Sequence, residues 1–234
     1  MPAPGSSPVF RTSVILALLL AIPAVSAGEP DANTFLQPGT EVITPVGGCT
    51  LNFVFKDATN TYIGTAGHCA DGPGGRVSTT GHGAWGTVVV DIDGATDFAL
   101  IRVDAAKVSA VRSAVQHWGG PTGVVTAAET ATGDVLAIYG YGIGFSVNEN
   151  TRPKQGVLIS DSSTQYVADT WAVNGDSGGP VLHKATGKAL GVISSYNLPV
   201  STDVGPTIPA IQAALAARGY NVVLQTAAAT GALV

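Results

Sequence analysis

Charge is scarce in this sequence. Only 12% of the 234 residues are charged, 11 basic against 16 acidic, for a formal net charge of −5. No basic patch stands out, so nucleic acid is not expected as a partner. Cysteine is scarcer still, with only Cys49 and Cys69. Two thiols so far apart make a poor zinc site, and neither a metal nor another cofactor is expected. No sequence repeat relates the two halves. The apolar run over residues 14–22 falls short of the ~20 residues a transmembrane helix needs. Glycine, by contrast, is abundant at 30 residues, in a chain that is 45% hydrophobic. Sparse charge and much glycine suit many short strands joined by tight turns. A chain of this length can bury a large core as one all-β unit.

Residues 1–27 have the three regions of a secretory signal peptide. Arg11 is their only charged residue, the apolar run follows, and Val25-Ser26-Ala27 forms a small-residue cleavage site after Pro23. The expected product is a secreted, extracellular protein with no stable membrane association once the signal is removed. Export favours a disulfide over two buried free thiols. Residues 28–46, with Pro30, Pro38 and Pro45, read as an extended N-terminal arm without helical period.

The chemistry centres on Asn174-Gly175-Asp176-Ser177-Gly178-Gly179-Pro180-Val181. Three glycines around one serine let the backbone take positive φ and approach a ligand closely. Successive N–H groups in such a turn can converge into an anion-binding nest. Acyl transfer needs that combination, a nucleophile beside preformed donors for an oxyanion. A serine hydroxyl also needs a base. His68 supplies one in Thr65-Ala66-Gly67-His68-Cys69, and Asp97 an acid in Thr96-Asp97-Phe98-Ala99-Leu100-Ile101. Asp91 and Asp93 compete with Asp97 but sit around Gly94 in a predicted solvated turn, whereas Asp97 leads directly into an apolar strand. His82, His117 and His183 have no comparable block and read as surface or structural residues.

Together the three blocks resemble those of trypsin-like (chymotrypsin-fold) serine endopeptidases of the short bacterial secreted type. The resemblance spans residues 47–220, and the order His, Asp, Ser separates it from subtilisins and α/β-hydrolases. It implies an all-β fold: two packed antiparallel six-stranded β-barrels with the cleft between them, followed by a short C-terminal helix. Residues 47–111 are expected to form the N-terminal barrel with His68 and Asp97, and residues 112–207 the C-terminal barrel with Ser177. Residues 208–234 are expected to form the helix and tail. Strand-like runs cover residues 51–55, 62–65, 86–90 and 98–103 in the first half. In the second half they fall within 123–144 and at 155–160, 166–173, 180–182 and 189–195, with an irregular crossover over 107–116. Proline starts and glycine stops a helix over 209–218. Residues 226–234 are expected to fray.

The resemblance also implies roles. Ser177 is the nucleophile, His68 the general base and Asp97 its orienting partner. The N–H groups of Gly175 and Ser177 form the oxyanion hole, and Ser194 supports Asp97. A Cys49–Cys69 bridge pins the histidine loop, and a loop of that span is worth about 3 kcal/mol. Trp171 falls at the floor of the specificity pocket and Tyr196 at its mouth. This points away from cleavage after Lys or Arg and towards small apolar residues, with acidic ones second. No basic cleavage site followed by Ile-Val-Gly-Gly occurs, so Asp176 needs an internal partner, with Arg102 and Arg152 as candidates. Gly64 replaces a larger residue and predicts looser packing behind His68. Gly140-Tyr141-Gly142 resembles the family's Gly-Trp-Gly turn. The partners expected are a protein or peptide substrate, acted on by a monomer. The competing readings are a catalytically silent, protease-like binding module and an esterase.

Overall fold

The structure, a computed structural model, describes residue 1 and residues 34–142, 152–197 and 202–233. Beyond residue 1, the expected signal peptide lies outside the described residues. Among those described, no helix is long and apolar enough to cross a membrane.

The chain folds into two antiparallel sheets. The first contains β1 (Glu41–Thr44), β2 (Gly47–Thr50), β3 (Val54–Lys56), β4 (Thr61–Thr65), β5 (Arg76–Thr79), β6 (Gly83–Ile92) and β7 (Phe98–Val103). The second contains β8 (Val135–Tyr139), β9 (Pro153–Asp161), β10 (Gln165–Asp169), β11 (Pro180–His183), β12 (Lys188–Val192), β13 (Ser195–Asn197) and β14 (Thr202–Pro206). A short helix α1 (Ile208–Ala216) follows, and then β15 (Val223–Leu224), which returns to the first sheet. The first sheet runs β15-β3-β4-β7-β6-β5-β1-β2 and the second β12-β11-β8-β9-β10-β14-β13. This is the two-barrel architecture. The sheets have eight and seven strands rather than six each; short β2 and β15 form the two edges of the first.

The sequence explains the central strands. In β6, Gly86, Val88, Val90 and Ile92 are buried while Thr87, Val89 and Asp91 between them are half-exposed, the period-2 pattern of a one-sided strand. In β7, Phe98, Ala99, Leu100 and Ile101 are all buried. Each sheet packs its own core, and a further cluster joins them. That shared cluster packs Phe53, Phe55 and Phe98 of the first half with Tyr139, Leu182 and Val192 of the second and Ile208, Ile211 and Leu215 of α1. Thr207 caps the helix, its hydroxyl accepting from the Ala210 N–H at 3.4 Å, and Pro209 occupies the first turn.

Two terminal segments are more integrated than the sequence suggested. Within the stretch read as an arm, Leu36 is buried and bridges Val111, and β1 pairs with both β2 and β5. The tail, expected to fray, instead lies along residues 118–121. Ala227 N–H donates to Pro121 O at 2.9 Å, Gly120 N–H to Ala228 O at 2.8 Å and Thr230 N–H to Trp118 O at 3.0 Å. Leu233 is buried. Small side chains let the backbone come close enough for these bonds, and they leave no apolar periodicity to read.

Candidate active site

His68 sits in a single 3-10 turn (Gly67–Cys69) directly after β4, and Asp97 lies just before β7. These neighbouring strands bring the two together. The Asp97 carboxylate grips His68 twice: Oδ1 accepts from its backbone N–H at 2.8 Å, and Oδ2 lies 2.8 Å from its Nδ1. A carboxylate at Nδ1 favours the tautomer with the proton there, which leaves Nε2 able to accept one. Asp97 has φ 31, a left-handed value that costs a non-glycine residue energy and that clusters at functional sites. The Ser194 hydroxyl donates to the same Oδ2. Burial works to raise the Asp97 pKa, but the bonds from His68 and Ser194 outweigh it and hold the carboxyl below its usual range. The Asp97 bond in turn raises the His68 pKa against the opposing effect of burial. The His68 side chain is 48% exposed, that of Asp97 11%.

The Ser177 loop docks against β2 and the end of β4, the strand that leads to His68. Thr50 N–H donates to Ser177 O at 2.9 Å, and Thr50 Oγ1 donates to Gly175 O at 2.7 Å. A Cβ on Gly178 would lie 2.3 Å from Thr65 Oγ1 and 2.5 Å from Thr50 O, so only glycine lets the loop press against β2 and β4. Cys49 and Cys69 form a disulfide, and Cys69 Sγ lies 4.0 Å from Ser177 O. Ser177 and His68 therefore belong to one cluster. Among the described residues no hydrogen bond joins the Ser177 hydroxyl to His68, and the N–H groups of Gly175 and Ser177 donate to no protein acceptor. Gly175 has φ 98, open to glycine. Cys49, His68 and Cys69 bring donor atoms within 4.8 Å of one another, but the disulfide consumes both thiols, which does not suit a metal.

The partner of Asp176 is neither arginine named from the sequence. Arg102 is exposed on β7, and Arg152 stacks on the Tyr141 ring, 3.7 Å from its centroid. Lys154 on β9 donates instead to Asp176 Oδ2. Asp176 is fully buried. Its Oδ2 also accepts from Val173 N–H at 2.8 Å, and its Oδ1 from Gly142 N–H at 2.9 Å. The Gly140-Tyr141-Gly142 turn wraps this carboxylate: a Cβ at Gly140 or Gly142 would lie 2.0 or 2.6 Å from Asp176 Oδ1. Thr50 and Lys154 were missed because nothing local marks them.

Trp171 is 71% exposed, with φ 54; a ring at the surface does not floor an enclosed pocket. Tyr196 lies in β13 opposite Asp203 of β14. Gly64 does not loosen the core, because Asn52 and the Phe98 ring fill the space a side chain would take. Asp91 is within β6 rather than a turn, accepting from Gly72 N–H at 3.1 Å. His183 is buried and bonded to Asp134 at 3.1 Å.

No protein-family model and no curated protein matches the sequence. Solved structures do. Thermobifida fusca Protease A is similar at 24% identity and TM-score 0.59, covering 81% of this chain and 97% of that one. A glutamic acid specific serine protease aligns at 18% identity and TM-score 0.60, covering 81% and 100%. Nocardiopsis protease aligns at 18% identity and TM-score 0.58, covering 80% and 97%. These neighbours are serine proteases, and likeness at this identity shows the fold.

Proposed function

We propose that the chain is a secreted serine endopeptidase. Ser177 attacks the peptide carbonyl while His68 Nε2 takes its proton, and Asp97 holds the imidazole and stabilises its charged form. The Gly175 and Ser177 N–H groups receive the oxyanion. Collapse expels the amine, protonated by His68, and leaves an acyl-enzyme that water hydrolyses by the same route. The observation that carries this reading is His68 fixed at Nδ1 by Asp97, beside a serine loop with two N–H groups free of protein acceptors. Lys154 supports it further, because it neutralises Asp176 from within the sheet and so keeps the nucleophile loop in place without a freed chain terminus.

Preference for small apolar residues rested on Trp171 and Tyr196 narrowing the pocket, and the exposure of Trp171 removes half of that basis. The missing Ser177–His68 bond favours a second reading, a silent binding module, although such bonds often tighten only when substrate is present. One experiment separates the two. A fluorophosphonate should label Ser177 in the full chain, and a peptide library should be cleaved by the wild type but not by Ser177→Ala. An unlabelled Ser177 in folded protein leaves the binding module.

A further inference from the structure

Thr50 is fully buried at the end of β2, and each of its polar groups is engaged. Its N–H donates to Ser177 O at 2.9 Å, and its carbonyl accepts from the Thr65 hydroxyl at 2.9 Å. Its own hydroxyl stands between two backbone groups of the second half. It accepts from Tyr141 N–H at 2.8 Å and donates to Gly175 O at 2.7 Å. A threonine hydroxyl carries one proton and two lone pairs. With Tyr141 N–H directed at the oxygen, the proton is left to point at Gly175 O. The bond to Gly175 is thus fixed in direction as well as in length.

Gly175 needs such a hold. At φ 98 it occupies a region that glycine enters without strain and leaves as readily. The peptide that follows it is fastened at both ends, Gly175 O by Thr50 and Asp176 N–H by Val173 O at 2.9 Å. The peptide that precedes it carries the N–H assigned to the oxyanion, which among the described residues has no protein acceptor. Holding one side of the glycine limits how far the other side can turn. Thr50 is suited to be the fixed point. It is β-branched, which restricts χ1, and it pairs with Glu41 of β1. It also follows Cys49, whose disulfide partner Cys69 is next to His68.

We infer that Thr50 is the positioning residue of the oxyanion hole: its hydroxyl, aimed by Tyr141 N–H, holds the Gly175 peptide so that the N–H before it stays turned to the substrate carbonyl. This rests on the protease reading, and Thr50 acts in it through Gly175. Preorganised donors stabilise the transition state because they need no reorientation as charge develops. Without the hydroxyl, Gly175 O and Tyr141 N–H lose their common partner, and the glycine is free to turn. The hole must then be rebuilt in each turnover. Substrate binding precedes the oxyanion and changes little.

The test uses the full chain. Thr50→Val keeps the branched shape and removes the hydroxyl. Its kcat on a peptide substrate should fall about 30-fold with KM within about threefold, the pattern of an interaction made in the transition state. Labelling of Ser177 by a fluorophosphonate, whose phosphoryl oxygen enters the same hole, should slow by a similar factor. The rising limb of kcat/KM against pH should stay in place, because His68 and Asp97 are untouched; a general loosening of the site would move it. Thr50→Ser should recover most of the loss. Where Thr50→Val fails to fold, Thr50→Ser against Thr50→Ala gives the same contrast of hydroxyl present and absent. Turnover of folded Thr50→Val within about threefold of wild type, a loss carried by KM, a shifted pH limb, or no recovery in Thr50→Ser overturns the Thr50 assignment and leaves the protease reading standing. Absence of labelling and cleavage in folded wild type overturns both.

Discussion

His68 and His183 are each bonded to an aspartate, and they differ in how open the ring is left. At His183, Nε2 lies 3.1 Å from Asp134 Oδ2 and Nδ1 lies 2.9 Å from Thr186 Oγ1. That is a hydroxyl, imidazole and carboxylate in series, the same groups as Ser177, His68 and Asp97. The His183 side chain is 5% exposed, however, and both ring nitrogens are occupied. Its hydroxyl belongs to the β11–β12 turn, where Thr186 N–H donates to His183 O. The trio holds a hairpin shut. His68 keeps Nε2 uncommitted, is 48% exposed, and faces a loop with unused N–H groups. Residue identity and hydrogen bonding are therefore not enough. An imidazole becomes a general base when its partner fixes one nitrogen and the fold leaves the other open.

The contrast is broken most directly by deleting each imidazole. Ser177→Ala or His68→Ala should each reduce turnover by about 10⁵-fold or more, because the members of such a unit fail together. His183→Ala should leave turnover per folded molecule within about tenfold while lowering stability by about 2–3 kcal/mol, through unpaired buried groups. Peptide hydrolysis and denaturant unfolding read the two effects. Equal loss of activity in folded His183→Ala would end the distinction.

Replacing the acids sharpens it. Asp97→Asn should cost about 10⁴-fold in kcat through the wrong tautomer, and Asp134→Asn tenfold at most. The pH profile carries the sign. Base catalysis needs neutral His68, and the Asp97 bond makes His68 hold its proton more tightly. The rising limb of kcat/KM should therefore lie above the ordinary value of 6.5, and Asp97→Asn should move it to lower pH.

Lys154→Met should cost about 3–5 kcal/mol, because it leaves the buried Asp176 charge unpaired. Activity should fall about 100-fold as the Ser177 loop shifts. Lys154→Arg should restore part of both, measured by melting temperature and kcat. Reduction of Cys49–Cys69 should have the smallest effect, about 3 kcal/mol of stability, with an activity loss of less than about tenfold. Mass spectrometry showing two free thiols in the native protein would falsify the bridge.

What could be read from the sequence was what is local. β7 has the bounds expected from its apolar run, and α1 lies within two residues of those set by Pro209 and Gly219. His68, Asp97 and Ser177 were legible because the residues beside each report its turn. Ser194 was legible through its resemblance, and its hydroxyl does reach Asp97. Lys154 was not, because its meaning comes from Asp176, in the loop before β11 and beyond any local pattern. Thr50 likewise looks like an ordinary strand residue, yet it bonds Gly175, Ser177 and Tyr141. Trp171 was assigned by counting residues back from Ser177, and in the structure it is 71% exposed. A count assumes loop lengths that only the fold sets.

The pairing of β15 with β3, Val223 opposite Lys56 and Leu224 opposite Phe55, bears on how the molecule is made. During synthesis the strands of the first sheet leave the ribosome long before the segment that covers the β3 edge. Until then β3 presents open N–H and C=O groups, a template for pairing with the wrong chain. The same late residues bond to the 118–121 stretch that links the two sheets. Closure of the first sheet and fastening of the crossover thus follow the synthesis of both sheets. Both steps wait on residues 223–230, so neither can precede the synthesis of β14 and α1.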